Sequence, residues 1–139
     1  MGTFLVSFLM FGNAAVYAQV EQVTALTVTD PGGFIATIDQ YQASIDNNAQ
    51  SVNLLAHIHD GEDPSTHTIV AIYDDLNDME SAMEGRIGST AWATLLRSLS
   101  GISTANSTAL AMQKRTWGDN SWEEGGYLAA VMVNAANSA

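Results

Sequence analysis

Two strand-like runs stand one short turn apart near the middle of the chain, and no other feature constrains the fold as much. Ser51–His59 (SVNLLAHIH) and Thr66–Tyr73 (THTIVAIY) are rich in residues that suit a pleated sheet, and Asp60–Ser65 (DGEDPS) between them is turn chemistry. So short a connection joins neighbouring antiparallel strands, because a parallel crossover needs a dozen or more residues. The chain therefore contains a central hairpin, and whatever flanks it must pack on that hairpin.

The flanks repeat one pattern. Val20–Thr29 (VEQVTALTVT) reads as a strand, and Asp30-Pro31 then offers an N-cap followed by proline at the first helical position. Phe34, Ile38, Tyr41 and Ile45 continue at helical spacing, with Ile35 beside them, up to the polar run Asp46-Asn47-Asn48. After the hairpin, Asp75 caps a second helical region, with Asp78 as a capping-box partner and Leu76, Met79, Met83 and Ile87 as its stripe. Gly88-Ser89 interrupts it, Trp92, Leu95, Leu96 and Leu99 resume it, and Gly101 suits a C-terminal cap. Thr108–Trp117 (TALAMQKRTW) reads as the last strand. The order strand, helix, strand, strand, helix, strand predicts an α+β, ferredoxin-like βαββαβ domain: an antiparallel sheet with two helices on one face. The other face is left open and needs a partner.

The two ends of the chain carry separate signals. Thr3–Met10 (TFLVSFLM) and the small residues up to Ala18 look like a signal peptide over residues 1–18, cleaved before Gln19, although no Lys or Arg precedes the apolar run. The competing reading is a buried N-terminal helix. With export, the mature protein is secreted or periplasmic, and no later run is long and apolar enough to hold it in a membrane. Residues 19–118 then form the domain, and residues 119–139 a linker with one more strand. Leu128, Ala130, Val131, Val133 and Asn134 match Val23, Ala25, Leu26, Val28 and Thr29 at a constant offset, so this strand is either the start of a second repeat or an extra edge strand.

Charge and composition exclude several functions. The formal net charge is −11, from 15 acidic against 4 basic residues, which opposes binding to nucleic-acid phosphates or anionic lipid surfaces. Cysteine is absent, and with it thiol catalysis and disulfides. The acidic clusters match no calcium-loop pattern, and Gly32-Gly33 and Gly125-Gly126 lack the spacing of a phosphate loop.

The candidate ligand residues gather on the hairpin. A turn centred near Asp63 sets His59 opposite His67 and His57 opposite Ile69. Leu55, His57, His59, His67, Ile69, Ala71 and Tyr73 then share one face, with Asn53 at its far end. Val52, Leu54, Ala56, Ile58, Val70 and Ile72 form the aliphatic face expected under the helices. A cluster of imidazoles suits a metal, a haem-like group or a general base, or else a polar cross-strand pair with a hydrogen-bonded interface histidine. Trp92 is either a core aromatic or a flat surface for a ligand. Lys114-Arg115, the one adjacent basic pair, is a structural feature or an anion site.

The strand THTIVAIYDD running directly into LNDMESAMEGRI, and then GSTAWATLLRSL, resembles the dimeric α/β-barrel superfamily. That group includes antibiotic-biosynthesis-type monooxygenases, NIPSNAP-like proteins and stress-responsive barrel domains. The resemblance covers about Val20 to Trp117. It implies that two such sheets pair, as a homodimer or a tandem repeat, into an α/β barrel with a central cavity. Members differ in activity: some are cofactor-independent oxygenases, some degrade haem, and many have no known activity. The expected function is accordingly a small-ligand barrel, binding or structural, without a bound cofactor. The alternatives are a monooxygenase acting on an aromatic substrate and a haem-binding relative. His57, His59, His67, Tyr73, Trp92 and Asn53 are its candidate ligand residues.

Overall fold

A computed structural model describes residues 19–44, 51–58 and 63–112. They form β1 (Val20–Val28), α1 (Pro31–Gln42), β2 (Ser51–Ala56), β3 (His67–Tyr73), α2 (Leu76–Arg86), α3 (Thr90–Leu99) and β4 (Ser103–Met112). The four strands make one antiparallel sheet in the order β2-β3-β1-β4. This is the ferredoxin-like α+β arrangement, with three helices where the sequence suggests two. The apolar N-terminal run and the repeat-like tail lie outside the described residues.

Two of the helix starts follow the caps expected from the sequence, Asp30 and Asp75. The Asp30 carboxylate accepts the Gly33 amide at 3.0 Å, and Pro31 opens α1. A Cβ on Gly33 would run into the Asp30 carboxylate, which would have to shift to make room. Asp75 accepts from the Asn77 and Asp78 amides, at 2.8 and 3.0 Å, and Ser89 accepts from the Trp92 amide. Gly88, at φ +74°, turns the chain between α2 and α3 in the left-handed region that side chains avoid.

Two expectations are corrected. Gly101 does not adopt a left-handed cap conformation; α3 ends on Ser100, whose N–H donates to Leu96 O. The last strand begins at Ser103, earlier than Thr108, because the small polar run STANS pairs with β1 along an edge where almost nothing is buried.

The central pairing sets which residues face the helices. Val20 lies opposite Tyr73, Leu26 opposite His67, and Val52 opposite Ala71. Val20, Ala71, Tyr73 and Met79 form one buried cluster; Leu26, Val28 and Phe34 form another, flanked by Ile38, Ile69, Leu99 and Ile102. The opposite face carries Val23 and Ala25 of β1, Asn53 and Leu55 of β2, and Thr68, Val70 and Ile72 of β3. Val70 and Ile72 are nonetheless buried, at 4% and 5% exposure.

This overturns the expected hairpin register. His67 pairs with Ala56, three positions from its expected partner His59. An odd shift exchanges the faces of β3 relative to β2. Ile69, Ala71 and Tyr73 therefore lie under the helices, together with Val52, and Val70 and Ile72 lie on the opposite face.

Candidate functional site

The two apolar clusters do not meet. Along the helix-facing side of β1 the residues run Val20, Gln22, Thr24, Leu26, Val28: apolar at both ends and polar in the middle. Over that polar stretch lies a cavity of about 330 Å³. Gln22, Thr24, Ile69, Ala71 and Ala105 line its sheet side. Ile38 and Tyr41 of α1 line one wall and Trp92, Leu95, Leu96 and Leu99 of α3 the other, with Arg86 contributed by the end of α2. Packing of α3 on α1 gives the cavity its roof.

The lining is mostly hydrocarbon and aromatic, with a few polar groups in fixed positions. The Tyr41 and Trp92 rings meet at 5.6 Å between centroids, tilted by 58°, within the range of favourable aromatic geometry. The Arg86 guanidinium carbon lies 5.0 Å from the Trp92 ring centroid, a cation–π contact. Arg86 Nη2 donates to Tyr73 Oη at 3.0 Å. Thr24 and Thr108 hydroxyls approach to 3.3 Å across the β1–β4 pair. The result is a continuous chain, Tyr73–Arg86–Trp92–Tyr41, running from the core to the cavity wall. The cavity can hold a small flat apolar molecule with a few hydrogen-bonding or charged groups.

The structure separates the residues that the sequence grouped. Trp92 lines this cavity. Tyr73 is fully buried in the core and reaches the cavity only through Arg86. Asn53 lies on the sheet face away from the helices, and His57, just past the end of β2, bonds Thr68 of that face, whereas His67 lies on the other face. His59 lies outside the described residues, as do Lys114 and Arg115.

His57 is built into a network. Its Nδ1 donates to Ser65 O at 2.9 Å, and its Nε2 lies 2.7 Å from Thr68 Oγ1. Asn53 Nδ2 donates to Ser51 Oγ at 3.1 Å. His67 Nδ1 lies 2.8 Å from Thr66 Oγ1, and partial burial, then the nearby His57, lowers its pKa. Among the described residues no group of three or more His, Asp or Glu is placed to hold a metal ion.

Sequence reasoning missed Gln22, Thr24, Tyr41 and Arg86 as a set. The available signal was the polar pair at inward positions of an otherwise aliphatic strand. Only the alternation of β1, followed from Val20 to Val28, could have exposed it.

No family model matches the chain, and no curated protein matches it. Solved structures do. SnoaB, a cofactor-independent oxygenase from Streptomyces nogalater, superposes with a TM-score of 0.54 at 16% identity, over 73% of this chain and 99% of that one. A dimeric ferredoxin-like protein of unknown function from Thermobifida fusca aligns at a TM-score of 0.47 and 10% identity, over 69% and 90%. A dimeric protein of ferredoxin-like fold from Bacteroides fragilis aligns at 0.40 and 11%, over 68% and 93%. At these identities the likeness is one of fold. It is the fold that the sequence resemblance implies.

Proposed function

We propose that this chain is an exported ligand-binding domain that holds a small, flat, largely apolar molecule between its sheet and helices and self-associates through the opposite sheet face. The observation that carries the reading is the cavity over Gln22 and Thr24, walled by the Tyr41–Trp92 pair. A closed core would place aliphatic side chains at those two positions. Ligand pockets commonly run from about 300 to 1,000 Å³, so this one suits a molecule of one or two rings. Aromatic walls supply area and orientation, and the polar floor discriminates among ligands. The reading requires no cofactor. Haem ligation by His57 is disfavoured, since an iron would have to displace Ser65 or Thr68 from the ring.

Calorimetric titration with 2-naphthamide, a neutral two-ring probe, tests the binding claim. Saturable one-site binding is expected for the wild-type chain. Ala105→Phe, which fills the cavity from the exposed edge strand, is expected to abolish it. Equal binding by both proteins would refute the site.

A second reading is supported by the fold shared with SnoaB: a cofactor-independent oxygenase acting on an electron-rich aromatic in the same cavity. Oxygen uptake with a phenolic substrate, lost in Ala105→Phe, separates catalysis from binding alone.

A further inference from the structure

Arg86 is a cation with neutral company. The chain carries only 4 basic residues against 15 acidic ones. Carboxylates are thus abundant, yet none is paired with Arg86 among the described residues. Its contacts are the Tyr73 hydroxyl and the Trp92 ring. A guanidinium offers five N–H donors in a planar fork, and one hydrogen bond to a phenol leaves most of that fork unused. The group is half-buried at the cavity wall, where its charge is less well solvated than on an open surface. Tyr73 fixes it from the core side and Trp92 from one ring face. Arg86 also lines the cavity.

We propose that the ligand of this cavity is a small aromatic acid, its carboxylate held by the Arg86 guanidinium and its ring set against Trp92 and Tyr41. The inference rests on the cavity reading above and names the ligand's chemical class. Three properties of the site converge on that class. The lining is apolar and aromatic, which demands a flat hydrocarbon body. The volume of about 330 Å³ restricts that body to one or two rings. The oriented guanidinium matches a carboxylate in the two-point geometry that makes arginine selective for planar anions. The overall negative charge repels anions at long range, but salt screens that repulsion beyond about 8–10 Å, whereas the contact with Arg86 is local.

The test compares 2-naphthoate with its neutral isostere 2-naphthamide by calorimetry, on the wild-type chain, Arg86→Gln and Arg97→Gln. Arg97, exposed on α3, serves as the control cation. Wild type and Arg97→Gln are expected to prefer the carboxylate by about tenfold or more, and Arg86→Gln to lose that preference while keeping its affinity for the amide. Far-UV circular dichroism checks that Arg86→Gln folds. If it does not, Arg86→Lys keeps a charge without the fork, and its preference is expected to fall to about threefold. Equal affinity of wild type for the two probes overturns the proposal and leaves the cavity reading standing. So does a preference unchanged in the folded arginine variant. Failure of both probes to bind wild type overturns both readings.

Discussion

Gln22 and Thr24 decide what the inner side of the sheet can do. They stand where the alternation of β1 calls for core residues, and the core divides around them. Gln22→Leu is expected to raise stability by up to about 1 kcal/mol in urea unfolding, by adding apolar surface at the cavity wall, and to weaken 2-naphthamide binding. Tyr73→Phe removes the acceptor of the Arg86 hydrogen bond and is expected to cost about 1 kcal/mol in the same measurement. His67 makes stability depend on pH. Burial, and then His57, lowers its pKa from the ordinary 6.5, so the unfolded chain takes up this proton at a higher pH than the folded one. Its contribution is therefore lost as pH falls below about 6.5 toward the folded value. Urea midpoints at pH 8 and pH 5.5 are expected to lie closer together in His67→Gln than in wild type. Asp63 acts at lower pH. Hydrogen bonds from the Ser65 hydroxyl and amide lower its pKa from 3.8, so its contribution holds above that value and is lost as pH falls through the folded one.

Elements were legible where a side chain states its own local role. Asp30-Pro31 and Asp75 each begin a helix because their oxygens satisfy amides that the first turn leaves unpaired, whereas Ser89, read in the sequence only as part of an interruption, caps α3 in the same way. Asp75→Ala is expected to lower stability by about 1 kcal/mol, and Asp75→Asn by much less, in thermal or urea melts. The register of the hairpin was not legible. It depends on how the turn folds, and a shift of three positions is enough to part His57 from His67 while leaving both strands in place. The early start of β4 was hidden for a different reason. Ser103, Thr104 and Ser107 have little apolar character, and an edge strand exposed along nearly its whole length needs little. Trp92 could be placed on a helix from its spacing. That it meets Tyr41 and Arg86 depends on how α1, α2 and α3 pack, which periodicity within one helix does not encode.

At the scale of the molecule, the order of elements gave the sheet topology and the ferredoxin-like class, because few connections of two strand–helix units around a hairpin avoid crossing. The two faces of the sheet then take different tasks. One lies under the helices around the cavity, and the other carries the half-buried Val23 and Leu55 beside the buried Val70 and Ile72. Light scattering on residues 19–139 is expected to give twice the chain mass, and Leu55→Glu to lower it toward the monomer, since a buried unpaired carboxylate opposes association. The central claim is that the ligand sits under the helices and not on the opposite sheet face, where Asn53 lies and His57 bonds Thr68. Amide chemical-shift mapping during a 2-naphthamide titration tests it most directly. Shifts gathered at Thr24, Tyr41, Trp92, Leu95 and Ala105 are predicted; shifts gathered instead at Asn53, Leu55, His57 and Val70 would contradict the account.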